Sequence, residues 1–197
     1  VATWGNLVNR TLTNTYRHFE AVPQPGPMLA QDQIILDQIR QGFITLATLL
    51  ETARFKAAVT EFMALAAQVN QYLGEEEPWR TIKVDRERAA TIFFVAVSCV
   101  DSLKVLSSPF LPFSAQRLHE MLGYSGVFAP QPHTEVREEP DGGQHLVLTG
   151  DYESAFGWQA SQISPGQKLP EPSLLFRKLD QAVIQEELDR MNLLPVV

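Results

Sequence analysis

Trp79 sits in the stretch GEEEPWRTIK, from Gly74 to Lys83, directly behind Pro78. Proline stops a preceding helix and holds the residue before it extended. The connector is therefore expected to be extended and to keep the indole at the mouth between two helices. A rigid, accessible indole is a platform on which a nucleobase can stack, worth ~1–3 kcal/mol per base. The basic residues Arg80, Lys83, Arg86 and Arg88 follow closely and are candidates for phosphate contacts. Near the start of the chain Asn6 and Arg10 are i, i+4 neighbours, so an amide and a guanidinium reach one patch if that segment is helical. Such groups read exposed base edges in single-stranded RNA. Each feature has an ordinary alternative: Trp79 as a plug in the bundle end, since tryptophans are buried on average, and Asn6 with Arg10 as a solvated helix face. Local sequence leaves both open.

No reaction centre competes with these groups. His18, His119, His133 and His145 lie far apart without HExxH or Glu-x-x-His spacing, so no metal site is expected and the histidines read as exposed or capping residues. Gly142-Gly143 belongs to a turn and not to a phosphate loop, and no GxSxG elbow is present. Glu75, Glu76 and Glu77 are consecutive acids in a connector, a pattern expected to be solvated.

The elements that must position these groups are helices. Trp4, Leu7, Val8, Leu12 and Phe19 share one side of a first helix, and Asn6, Arg10, Thr13 and Arg17 form a polar stripe on the other. The prolines and glycine of VPQPGP, Val22 to Pro27, end it. A second helix carries Ile35, Ile39, Phe43, Leu46 and Leu50; a third carries Phe55, Val59, Phe62, Ala66, Val69 and Leu73. Asp85 caps a fourth that runs towards Pro109, and Ser114 is expected to cap a fifth that ends at Gly123. Five helices with short connectors predict a mainly α fold, an antiparallel bundle over residues 1–123. Residues 124–172 turn to Gly, Pro and polar residues, with a β-hairpin expected in HTEVREEPDGGQHLVLTG around Asp141-Gly142. Residues 173–197 are expected to supply an apolar anchor at Leu174, Leu175 and Phe176, then a C-terminal helix from about Asp180, with Ile184, Leu188 and Met191, folding back onto the bundle.

Bulk properties narrow the partners. With 45% hydrophobic and 20% charged residues the chain can bury one full core. The net charge of −7 excludes a broad cationic surface for nonspecific nucleic-acid binding, so any such contact is local. Cys99 is the single cysteine, in an apolar run, which excludes disulfides and suits a reducing, cytoplasmic compartment. No apolar stretch is expected to reach the roughly 20 residues that span a bilayer, so no membrane role is expected.

Taken in order, several blocks resemble the C-terminal part of methionyl-tRNA synthetases. They are Gly5-Asn6-Leu7-Val8-Asn9-Arg10, the block from Asn70-Gln71-Tyr72 to Pro78-Trp79, Arg88-Ala89-Ala90 leading into Ser108-Pro109-Phe110-Leu111-Pro112-Phe113-Ser114-Ala115, and Pro172-Ser173-Leu174-Leu175-Phe176. The likeness covers nearly the whole chain, and the PW and PFLP elements also occur in related class I synthetases. The resemblance implies an α-helical bundle that binds the CAU anticodon of methionine tRNAs. It places the base-stacking tryptophan at Trp79 and the anticodon-contacting asparagine and arginine at Asn6 and Arg10. Asn70 and Pro78 become scaffolding for the connector, with Arg17, Arg80 and Lys83 towards the RNA backbone. It also implies tRNA and the enzyme's own catalytic half as partners, and ATP and magnesium as cofactors of that half, with none needed here. HIGH-like and KMSKS-like signatures and the zinc-binding cysteine knuckle are absent, so the chain by itself is not expected to activate methionine. Two alternatives remain at this point: the equivalent domain of another class I synthetase, or a helical protein-interaction module without RNA.

Overall fold

The computed structural model describes residues 3–128, 132–140, 142–150, 157–176 and 181–193. The bundle begins with α1 (Trp4–Phe19), α2 (Ala30–Glu51) and α3 (Phe55–Glu76), continues through a single turn, α4 (Pro78–Thr81), and is completed by α5 (Arg86–Ser107) and α6 (Pro112–Met121). A two-stranded sheet, β1 (His133–Glu138) and β2 (Gln144–Thr149), and a last helix, α7 (Gln181–Leu193), follow.

The 3.6-residue periodicity decides what is buried. Trp4, Leu7, Val8 and Leu12 of α1, Ile35, Ile39, Phe43 and Leu46 of α2, and Phe62, Ala66, Val69 and Leu73 of α3 enter one core. Those stripes alone would leave the bundle hollow; α5 fills it. Nearly every residue of α5 is buried, because α1, α2, α3, α4 and α6 all pack against it. Here one expectation needs correction: α5 is long and apolar enough to span a bilayer, but 94% of that stretch is inside the bundle. A helix apolar on all sides is what a central core position requires. Cys99 is buried in it, and burial pushes its thiol up to about 12, so it acts as a small apolar core residue.

Helix ends follow local chemistry with one departure here. Asp85 caps α5 as expected, its carboxylate accepting from the Arg88 N–H at 2.8 Å. Ser114 does not cap α6; the helix starts earlier, with Pro112 in the first turn behind Leu111. Proline lacks only an N–H that the first turn leaves unpaired anyway, and its fixed φ suits that position.

The segment after α6 divides by burial. Both hairpin strands are largely exposed, with Val136 opposite Leu146 and Thr134 opposite Leu148 in antiparallel register. The link between the strands covers residues 139–143, longer than a two-residue turn; Gly142 has φ +83°, and Asp141 lies outside the described residues. By contrast Ile163, Leu169 and Leu175 join the core. Residues 166–169 run beside residues 20–22, with Val22 N–H donating to Gln167 O at 2.8 Å and Leu169 N–H to Glu20 O at 3.1 Å. Gly123, at φ +82°, lies under this crossing: a β-carbon there would meet the Lys168 carbonyl oxygen at 2.1 Å.

The apolar anchor folds back onto α1, where the Phe176 ring lies 2.8 Å from the place a β-carbon on Gly5 would take. Expected to pack on the bundle, α7 instead leaves Ile184, Leu188 and Met191 exposed. Asp180, expected to open this helix, lies outside the described residues.

Candidate nucleic-acid interface

The base-reading candidates meet where α1 passes α4. The guanidinium of Arg10 lies over the Trp79 ring, 4.8 Å from its centroid, a cation–π arrangement. Trp79 packs partly against the core yet stays partly accessible, so neither simple alternative holds: it is not a sealed plug and not a free side chain. Asn6 is exposed one helical turn before Arg10 on α1, beside Leu174, Leu175 and Phe176. Arg17 is exposed further along the same stripe.

The connector is built differently from the extended path expected of it. Glu77 takes a left-handed backbone, φ 39° and ψ 57°, which ends α3 and at once opens α4. Pro78 then occupies the first helical position and is buried, so Trp79 is presented from a single helical turn. Proline ends α3 but is welcome at the start of the next helix, which explains the difference. Arg80 N–H donates to Glu77 O at 2.7 Å, and Thr81 Oγ1 donates to Glu76 O at 2.9 Å. Asn70 Nδ2 donates to Thr3 O at 3.1 Å, tying α3 to the start of α1, and to Ala66 O at 3.0 Å. The buried Asn70 Oδ1 has no hydrogen-bond partner among the described residues.

The basic residues behind Trp79 separate into two kinds. Lys83 is exposed, and Arg80 is exposed in an ion pair with Glu77 at 2.9 Å. Arg86 is exposed but engaged by the protein, and Arg88 is turned away from solvent. Arg86 lies over Phe19, 4.7 Å from the ring centroid, and donates to His18 O at 2.8 Å. Arg88 turns inward, with both terminal nitrogens on Asp32, at 2.5 and 2.9 Å, and Nη2 also 2.6 Å from Glu76 Oε2. Tyr72 Oη donates to the same Asp32 at 2.6 Å. Burial alone would raise the Asp32 pKa, but hydrogen bonds from Arg88, Tyr72 and the Leu29 N–H, with the Arg88 charge, hold it below the usual carboxylate range.

Sequence reasoning missed this network. Glu76, read as solvated, is a ligand of Arg88, and Asp32 was one polar residue among several at the start of α2. The only local signal was Asp32 at the third helical position, where it accepts from the Leu29 N–H at 2.8 Å. A second buried centre was also missed. His119, expected at the surface, is fully buried, its Nδ1 3.3 Å from Lys104 Nζ and its ring stacked 4.7 Å from Tyr124.

Comparison with known proteins places the chain in a family. Residues 22–148 fit the model of the anticodon binding domain of methionyl tRNA ligase. The chain belongs to that family. The matched span includes Asn70, Pro78 and Trp79 and leaves out α1 with Asn6 and Arg10. The methionine–tRNA ligase of Chloroflexus aurantiacus is 57% identical over 193 residues, covering 98% of this chain and 32% of that protein. That of Roseiflexus castenholzii is 54% identical, covering 98% of this chain and 33% of the relative. The chain thus spans about a third of the length of these ligases. Among solved structures, apo methionyl-tRNA synthetase of Mycobacterium tuberculosis superposes with a TM-score of 0.69 at 20% identity, over 90% of this chain and 32% of that one. The same synthetase bound to methionyl-adenylate gives 0.68 over 89% and 31%. At that identity the likeness establishes the fold alone: the helical architecture of this chain is shared with that synthetase over the aligned part.

Proposed function

We propose that this chain reads the CAU anticodon of methionine tRNAs, elongator and initiator, as the tRNA-recognition part of a methionine–tRNA ligase in the cytoplasm. The observation that carries the reading is Arg10 stacked on the accessible part of Trp79, with Asn6 one turn away. In the free chain the guanidinium occupies the indole face. A base turned out of the anticodon loop takes its place, trading a cation–π contact for stacking, and Arg10 moves to the base edge or the adjoining phosphate. Asn6 supplies an amide that both donates and accepts, as edge recognition needs. Arg17, Arg80 and Lys83 are exposed and give the phosphate backbone local positive partners on an acidic protein. Methionine activation, with ATP and magnesium, belongs to the catalytic half of the relatives. No cluster of three or more metal-ligating side chains occurs among the described residues here, and no step of that reaction is assigned to them.

The test is Trp79→Ala in a ligase carrying this chain. The tRNA KM rises or aminoacylation falls, while methionine-dependent pyrophosphate exchange, which needs no tRNA, stays at the parental rate. Equal loss of both activities would contradict the reading.

A further inference from the structure

The connector that carries Trp79, with α4 inside it, runs from Glu76, the last residue of α3, to Asp85, the cap of α5, and both ends arrive at one residue. Glu76 Oε2 accepts from Arg88 Nη2 at 2.6 Å, and Asp85 Oδ1 accepts from the Arg88 backbone N–H at 2.8 Å. The Arg88 guanidinium is itself fixed by its paired contact with Asp32, which Tyr72 also holds. We infer that Arg88, with Asp32 and Glu76, is a clasp that closes residues 77–85 into a fixed loop and thereby positions Trp79 for base stacking.

The local backbone explains why a clasp is needed. Glu77 carries a β-carbon in the left-handed region, which favours glycine, so the turn carries strain that the Arg80 and Thr81 hydrogen bonds offset and a further hold steadies. Pro78 behind it is committed to a helical start, and Trp79 follows one residue later. Any change of path at Glu76 or Glu77 is therefore carried directly to the indole. A bridge that only joined α2 to α5 would need Asp32 and Arg88 alone. Glu76 is the last residue of α3 and also accepts from Gln31 Nε2 at 3.2 Å, so its contact with Arg88 adds to that pair a hold on the point where the connector leaves α3. Arginine suits the task because its planar fork satisfies two carboxylates at once, which an ammonium cannot do with fixed geometry. Arg88 and Glu76 are positioning residues: they act on RNA through Trp79.

This inference rests on the recognition reading above, and its test separates the two. The variant is Glu76→Ala, which frees the connector while Asp32, Tyr72 and Arg88 remain paired. In the RNA-free chain, amides of residues 79–85 are expected to exchange about tenfold faster, with those in the middle of α5 unchanged. Affinity for a CAU anticodon stem-loop is expected to fall about fivefold, and the loss should vanish in a Trp79→Ala background, because two residues acting through one contact are not additive. Glu76→Gln keeps an acceptor oxygen and should restore most of the affinity. Wild-type exchange in the connector overturns the clasp, and so does a Glu76→Ala loss that adds in full to that of Trp79→Ala. If the wild-type chain fails to bind the stem-loop at all, the recognition reading falls. Amide exchange then still decides the clasp, faster exchange supporting it and unchanged exchange overturning it.

Discussion

The two ends of α5 each hold a buried cation against a carboxylate, in opposite ways. At the N-terminal end Arg88 divides its guanidinium between Asp32 and Glu76, with 15% of its side chain still exposed. At the C-terminal end Lys104 is 3% exposed and has Asp101 as its ion-pair partner at 2.6 Å, with the rings of Tyr124 and Phe128 at 4.4 and 4.5 Å. Asp101 in turn accepts from Tyr124 Oη at 3.0 Å and Ser161 Oγ at 2.6 Å, which brings the segment around residue 161 onto the bundle. The Lys104 end seals the bundle, whereas the Arg88 end, with one positive charge for two negative ones, anchors a loop that faces solvent. A salt bridge is a lock where water is excluded and a positioning device where water remains nearby.

Asp101→Ala should be the most damaging change, because it strands a buried ammonium and unpairs Tyr124 and Ser161. A loss of about 3–5 kcal/mol is expected in a denaturant titration, well above that of Glu76→Ala in the same assay; equal losses would erase the distinction between the two ends. Next comes Trp79→Ala, for which stem-loop affinity should fall by ~1–3 kcal/mol, roughly 5- to 150-fold, when followed by fluorescence anisotropy. Arg10→Ala should cost about 0.5–1.5 kcal/mol of that affinity, the usual net worth of a hydrogen bond, because its contact to the base edge or phosphate is lost, with Arg10→Lys in between.

A pH series probes the sealed end further. Burial pushes the His119 pKa down, with the Lys104 charge acting the same way and Ser125 O and Asp101 opposing. At His18 burial again lowers the pKa, joined by Arg17 and Arg86. Both rings therefore stay neutral in the fold at a pH where the unfolded chain takes up protons. Stability should rise with pH through the window below the ordinary value of 6.5 and level off above it. Urea midpoints between pH 5 and 8, with and without His119→Gln, measure the slope, and a flat profile would contradict it. The smallest effect is expected from replacing residues 133–149 with a short Gly-Ser turn: the strands are exposed, so stability should stay within about 0.5 kcal/mol and stem-loop affinity should not change.

Much of the bundle is legible in the residues because amphipathic periodicity is a local property. The Leu7, Ile39 and Val69 stripes name their own buried faces, and Asp85 names its own cap. The order of blocks from Asn6 to Phe176 was enough to name the family. The route of the chain at Pro78 was less legible, since the same residue that ends α3 can open α4, and the choice rests on the left-handed Glu77. Glu76 and Arg88 were misread for a related reason. A charged residue in a connector looks solvated until its partner, distant in sequence, is placed beside it. His119 and Lys104 lie against the rings of Tyr124 and Phe128 and beside residues 157–162, neighbours that only the fold brings to them.

By itself, then, the sequence determined the longer helices and their apolar faces, because spacing along a helix fixes which side chains share a face, and it offered Trp79, Asn6 and Arg10 as base-reading candidates through their types and the family resemblance. Tertiary structure alone decided that Arg10 lies on Trp79 and that Arg88 turns inward to two carboxylates. It also decided that α7 leaves its apolar stripe exposed. These outcomes depend on how far apart the helices pack and where chain segments cross, distances that no local pattern of residues encodes.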